Sequence, residues 1–287
     1  MNGCCTGGLI DEQGHRSCGA HVSAVVVVTG AGGIGLACAR RLGSGHHLVL
    51  ADADRGRLES VLPTLRDEGY DVHGHQTDVS DSGSVRDLAR LVADHGPLAT
   101  VVHTAGLSPT MASGQRILAV NLRGTALMID AFEPLATTGT VGVFIASMAG
   151  HLWPPDRDGD RLVAAADPAD IVDATGLPAE VDPATAYGVS KRGVMTRVVA
   201  AAHAWGLKGA RIVSISPGMI ATGMGHQESA AQPTMAQMLR DSPVPRLGTP
   251  SEIADAVAWL AGPSASFVTG TDLLIDGGVV ARMTGGA

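Results

Sequence analysis

The chain has 287 residues, 45% of them hydrophobic and 17% charged. That is long and apolar enough to bury a large core, and it excludes a disordered polyelectrolyte. The formal net charge of −8, with no run of Lys and Arg to offset it, argues against nucleic acid or an anionic membrane surface as partner.

Residues 1–21 carry no hydrophobic period and many glycines, and they read as a flexible leader. They lack a basic segment followed by a long apolar run, so no signal peptide is expected. The apolar run from Ala24 to Val28 is too short to cross a bilayer. Cys4, Cys5 and Cys18 fall in this leader and Cys38 in a predicted helix. None forms a CxxC pair, so free thiols in a reducing, cytoplasmic setting are expected.

From Val22 the pattern changes. Apolar or β-branched runs at 22–29, 46–51, 71–77, 98–104, 140–146, 210–216 and 271–276 read as seven strands buried on both faces. Amphipathic stretches at 35–44, 55–69, 84–96, 113–131, 184–206 and 251–260 alternate with them. Strand–helix alternation predicts an α/β fold, a doubly wound parallel seven-stranded sheet of the Rossmann type, in one domain spanning 22–287. One segment breaks the rhythm. Residues 151–183 hold eight acidic residues and two arginines, with a short helix expected near Ala169–Ala174. Such an insertion is either functional or a solvated excursion.

The first strand runs into Thr29-Gly30-Ala31-Gly32-Gly33-Ile34-Gly35, where Gly30, Gly32 and Gly35 fit GxGxxG. The first glycine permits the tight turn, the second a close approach of backbone to pyrophosphate, and the third close helix–strand packing. The helix that follows offers free N–H groups and its positive dipole end to phosphate. Asp52 closes the second strand and is expected to accept hydrogen bonds from the adenosine ribose, favouring NAD over NADP. Asp54 is the competing carboxylate, and a helix N-cap is the plain alternative role for Asp52. Asp78, after the third strand, either contacts the adenine edge or caps the helix starting near Ser80.

Tyr187 and Lys191 form YxxxK on a predicted helix, where residues four apart share a face. A free phenol titrates near ~10, and a neighbouring ammonium favours the phenolate, so Tyr187 can exchange a proton with an alcohol. Ser147 ends the fifth strand, at the sheet edge where ligands bind in doubly wound folds. Its hydroxyl can hold the substrate oxygen. Eleven histidines invite a metal reading, but their spacings give no complete ligand set and no metal is expected.

Taken together, the glycine loop, Ser147, Tyr187 and Lys191 resemble the short-chain dehydrogenase/reductase family over roughly Val25 to Ile275. Thr104-Ala105-Gly106 is similar to the end of the family's Asn-Asn-Ala-Gly, and Ile275-Asp276-Gly277-Gly278 to its C-terminal strand ending. The resemblance implies that Asn121 supports the proton relay. It also implies that Gly33, Ile34, Val79, Ala105, Gly106, Pro217, Gly218, Ile220 and Thr222 join Gly30, Gly32, Gly35, Asp52, Asp78, Tyr187 and Lys191 around the cofactor. The segment 219–247 corresponds to a mobile substrate lid, so Met219 and Met224, with Trp153 from the insertion, are expected at the substrate. Methionines suit adaptable apolar contacts, and ordinary core filling is the alternative for this stretch. Two departures stand out. The glycine loop is one residue short, and His103 and Thr104 replace two asparagines. The long Ser147–Tyr187 spacing is similar to bacterial 3α-hydroxysteroid dehydrogenase/carbonyl reductases, implying a bulky alcohol or ketone substrate. The family implies a homodimer or homotetramer. A non-catalytic NAD-binding sensor or scaffold is the alternative function. It predicts loss of a catalytic residue, and none is lost. An epimerase or dehydratase would need a larger C-terminal domain, and enoyl reductases space Tyr and Lys more widely.

Overall fold

Runs of β-branched residues become central strands because the branched side chain packs well on a pleated surface and loses little freedom there. Val25–Thr29, all valine until its last residue, is the clearest case and is buried throughout. A computed structural model describes residues 23–154, 156–223, 225 and 233–285; the expected leader and Met224 lie outside them. The strands are β1 (Val25–Thr29), β2 (His47–Asp52), β3 (Val72–Gln76), β4 (Leu98–His103), β5 (Val141–Ile145), β6 (Arg211–Pro217) and β7 (Asp272–Ile275). They form one sheet in the order β3-β2-β1-β4-β5-β6-β7, parallel throughout. The order reverses between β1 and β4, which opens a crevice at the carboxyl ends of those strands.

Helices cover both faces: α1 (Gly33–Leu42), α2 (Arg55–Asp67), α3 (Ser82–His95), α4 (Gly114–Ile117), α5 (Gly124–Phe132), α6 (Met148–Leu152), α7 (Arg157–Ala165), α8 (Pro183–Leu207), α9 (Pro233–Asp241), α10 (Pro250–Ala261) and α11 (Val279–Thr284). Alternate strand residues feed two cores. Val25, Val27, Val49 and Phe144 pack with Val194, Val198 and the fully buried Trp205 of α8. Val26, Val28, Leu48 and Val143 pack with Cys38 of α1 and Ile253 and Val257 of α10. Helix starts are fixed by side-chain caps: Asp54 accepts from the Arg57 N–H, Asp81 from Ser84, and Asp182 from Ala184 and Thr185. Asp81, not Asp78, therefore caps α3, and Asp54, not Asp52, caps α2.

The insertion is built into the fold. Its helix is α7, earlier in the chain than the expected 169–174, where the structure has turns and a 3₁₀ turn at Asp173–Thr175. Val163, Ile171 and Val181 bury with Ile117, Leu118, Leu122 and Ala186 in a third core. Two arginines of α8 tie it down: Arg192 pairs with Asp160 through both guanidinium arms, and Arg197 donates to the Ala164 and Ala166 carbonyls at the end of α7. Free C-terminal carbonyls are what a helix end leaves for a cation to satisfy. Between α4 and α5, residues Leu118–Arg123 form a π-helical turn.

Candidate active site

A cavity of about 1000 Å³ runs across the carboxyl edge of the sheet, at the upper end of the usual range for ligand pockets. The β1–α1 turn forms one end. Gly30 has φ +87°, the left-handed region, and a side chain there would also meet Thr104 Oγ1 at 2.8 Å. A methyl on Gly35 would collide with the Gly30 carbonyl. Gly32 differs. A methyl there meets nothing within 4 Å, so its bare face opens into the cavity at the N-terminus of α1. This is the cradle that a pyrophosphate requires: open space, free N–H groups and a positive helix end. Gly30, Gly32, Gly33, Ile34 and Gly35 all line the cavity.

The two departures in the sequence acquire a local cause. In the shortened loop the Ala31 N–H donates to Asp52 Oδ2 at 2.8 Å, so the turn is braced by the end of β2. The Thr104 hydroxyl donates to the Thr29 carbonyl at 2.7 Å, and the His103 ring bonds the Thr29 hydroxyl at 2.7 Å. Both pin β4 to the end of β1. Burial, with the nearby Lys191 ammonium adding to it, pushes the His103 imidazole down to about 3, so it is neutral at physiological pH.

At the β2 end, Asp52 faces the cavity. It also accepts from the Asp54 N–H at 2.9 Å and from Arg57 Nη1 at 3.3 Å. Asp78 accepts from the Ser80 N–H and hydroxyl and from Arg116. Its carboxyl lies below the usual range, because these bonds outweigh the opposing effect of burial, the largest single influence. Val79, Ala105 and Gly106 line the middle of the cavity, and Pro217, Gly218, Ile220 and Thr222 its far wall. Sequence reasoning missed Arg57 and Arg116, both in the wall. Neither falls in a motif; each reaches the site through a carboxylate on another element.

Ser147, Tyr187 and Lys191 line the same cavity. Ser147 is the N-cap of α6, its Oγ accepting from the Ala149 N–H at 3.2 Å. The backbone thereby takes one lone pair and leaves the hydroxyl hydrogen to donate. The ammonium of Lys191, itself buried, donates to the Ile145 carbonyl at 2.9 Å and lies 5.8 Å from the centre of the Tyr187 ring. A methyl on Gly106 would stand 3.2 Å from Asn121 Oδ1 and in ordinary contact with Lys191 Nζ, so this backbone passes close to both side chains. Asn121 sits behind the wall, in the π turn. Its amide exchanges both hydrogen bonds with the Leu107 backbone and donates to Ser190 Oγ, which in turn donates to the Tyr187 carbonyl.

Past Ser147 the wall turns apolar, with Met148, Leu152, Met219, Met235 and Met238. The methionines pack together with Val279 and Val280 of α11. Trp153 is not part of this wall. It ends α6 and lies against Gly188 of α8, where a methyl would meet its ring at 2.7 Å. Its neighbour Leu152 takes the lining position. Among the described residues no group of three or more His, Cys, Asp or Glu could hold a metal ion, and no helix is long and apolar enough to cross a membrane.

Comparison with known proteins gives the family. The family model described as short chain dehydrogenase matches residues 24–156, and that described as enoyl-(acyl carrier protein) reductase matches 162–280. The short-chain dehydrogenase/reductase bsc3 of Alternaria brassicicola is 38% identical over 90% of this chain and 96% of its own length. The 3α-hydroxysteroid dehydrogenase of Pseudomonas sp. B-0831, solved with NADH, superposes with a TM-score of 0.73 at 26% identity, covering 92% of this chain and all of its own. An actinorhodin polyketide ketoreductase solved with NADPH gives 0.71 at 26% identity, over 90% and 97% of the two chains. A seven-stranded parallel sheet with a glycine turn, a strand-end serine and YxxxK on one cavity defines a dinucleotide-dependent oxidoreductase. The chain belongs to the short-chain dehydrogenase/reductase family.

Proposed function

We propose that this chain interconverts a secondary alcohol and its ketone with NAD(H), acting on a bulky, largely apolar substrate such as a hydroxysteroid. The observation that carries the reading is the convergence of Ser147, Tyr187 and Lys191 on one cavity that also opens onto the bare face of Gly32. The glycine turn would hold the pyrophosphate, Asp52 the adenosine ribose, and Lys191 the nicotinamide ribose. The bound nicotinamide supplies a hydride acceptor or donor.

The residues of the chain do the rest. The Ser147 hydroxyl, backed by the Ala149 N–H, donates to the substrate oxygen and fixes it against Tyr187. The Tyr187 phenolate takes the alcohol proton in oxidation, and the phenol returns it in reduction. The Lys191 ammonium, anchored on Ile145, favours the phenolate. Asn121, bonded to Leu107 and through Ser190 to the Tyr187 backbone, supports the relay. The methionine-rich wall under α9 suits an adaptable lid over an apolar frame. The half-buried edge strand β7, with fully exposed Phe267 and partly exposed Trp259 nearby, supports pairing of subunits along that edge. A reducing, cytoplasmic setting accords with the free buried thiol of Cys38.

The test is titration with NADH and NADPH by fluorescence, then turnover on hydroxysteroids and simple secondary alcohols. Tyr187→Phe is expected to lower turnover by roughly 10²–10⁴-fold with cofactor affinity kept. Full activity in that variant would overturn the mechanism.

A further inference from the structure

We propose that Arg57 sets how strictly the adenosine end of the cavity excludes a 2′-phosphate, and that it lets the site bind the phosphorylated dinucleotide as well as the unphosphorylated one. The proposal rests on the reading of the cavity as a dinucleotide site.

A carboxylate has about four acceptor positions. In Asp52 three are used inside the chain: Oδ2 accepts from the Ala31 N–H at 2.8 Å and from Arg57 at 3.3 Å, and Oδ1 accepts from the Asp54 N–H at 2.9 Å. One position then remains for a ribose hydroxyl, so the paired acceptance that penalises a 2′-phosphate is incomplete. Arg57 also offsets part of the negative charge beside that position.

Arg57 itself is free to turn. Its side chain is 47% exposed against 8% for Asp52. Among the described residues its guanidinium donates one bond, the long one to Asp52, out of five available donors. It lines the cavity and stands in the first turn of α2, where the positive helix end favours an anion. Asp54, the cap of that helix, opposes an anion, but its Oδ1 is engaged by the Arg57 N–H. Arg55 is paired outward with Glu59. Rotation from Asp52 onto a phosphate exchanges one long bond for a bidentate contact, the geometry in which guanidinium and phosphate pair best.

The experiment titrates the full chain and R57Q, by calorimetry, with ADP and with adenosine 2′-phosphate 5′-diphosphate, and by fluorescence with NADH and NADPH. The wild type is expected to bind both members of each pair. R57Q is expected to weaken the 2′-phosphorylated ligands roughly tenfold or more and to leave ADP and NADH within about threefold. R57K should fall between, since it keeps the charge and loses the fork. Equal weakening of all four ligands, or none, overturns the proposal. So does a wild type that binds ADP and NADH but neither phosphorylated ligand; the dinucleotide reading then stands. A wild type that binds none of the four overturns that reading as well.

Discussion

The glycine turn separates into positions that the fold needs and one that only a ligand would feel, and two substitutions tell them apart. A methyl at Gly35 runs into the Gly30 carbonyl and stands 2.8 Å from Thr104 Oγ1, both parts of the braced turn. Overpacking of this kind costs about 1–3 kcal/mol. At ~2–4 °C per kcal/mol for a domain of this size, Gly35→Ala should lower Tm by roughly 2–12 °C. Gly32 has φ −92°, which any residue adopts, and open space in front of it. Replacing glycine by alanine at an N-cap costs about 0.5–1 kcal/mol, offset by about 0.4–1 kcal/mol from a stiffer unfolded chain. Gly32→Ala should therefore move Tm by less than about 2 °C. Its methyl would occupy the cradle and lengthen charge-assisted bonds worth about 1.5–3 kcal/mol, so NADH should bind roughly 10–100-fold more weakly. Thermal unfolding by circular dichroism and NADH fluorescence titration read the two effects separately. If Gly32→Ala binds NADH as the wild type does, the pyrophosphate does not lie against Gly32 and the assignment of the cradle fails.

Three further outcomes are expected. His103 titrates near 3 when folded and near ~6.5 when unfolded. Its folded value is depressed, so its contribution is intact above pH ~6.5 and is lost as pH falls towards 3, because protons then favour the unfolded chain. Between pH 7 and pH 5 the wild type should lose up to about 2 kcal/mol more than His103→Asn in urea unfolding; parallel pH profiles would contradict this. Burial pushes the Cys38 thiol up to about 12, so peptide mapping after iodoacetamide treatment at pH 8 should find Cys38 unmodified in native protein and alkylated in denatured protein. On the proposed pairing along β7, the wild type should have the mass of a dimer or larger in light scattering and Phe267→Asp a smaller one with Tm unchanged; equal masses for the two would refute pairing through that edge.

Much of this architecture was legible because its signals are local. A run such as Val25–Val28 has few ways to bury every side chain except as a central strand, and all seven expected strands appear in the parallel sheet. The glycine turn, Ser147 and YxxxK are likewise short-range patterns whose spacing survives folding. What escaped the sequence depends on partners far along the chain. Asp78 was weighed as a cap, but the α3 cap is Asp81, and Asp78 is held by Arg116, 38 positions away. Trp153 looked like a pocket residue from its place after Ser147. Where α6 ends turned its ring onto Gly188 and gave the lining to Leu152. The insertion offered no period strong enough to locate α7, whose position is set by Arg192 and Arg197 of another helix. Arg57 carried no signal at all, because what marks it is a bond to Asp52 on another element, a carboxylate that also holds the glycine turn.

The π turn at Leu118–Arg123 can be seen as a phase shifter. From Gly114 to Phe132 the backbone coils without a break and serves two cores at once: Ile117, Leu118, Leu122 and Ala126 bury in the insertion core, and Val120, Met128, Ile129 and Phe132 bury against the sheet. A uniform α-helix advances about 100° per residue and would carry one half out of step with its surface. The π turn holds one residue more than an α-turn, which keeps each of the two faces in line on both sides of it and leaves Asn121 turned towards Leu107. The length of this segment is therefore as tightly specified as its composition. Removing a single residue between 118 and 123 would preserve the coil and its apolar content but rotate everything beyond by about a quarter turn. Substitutions here should be far better tolerated than deletions.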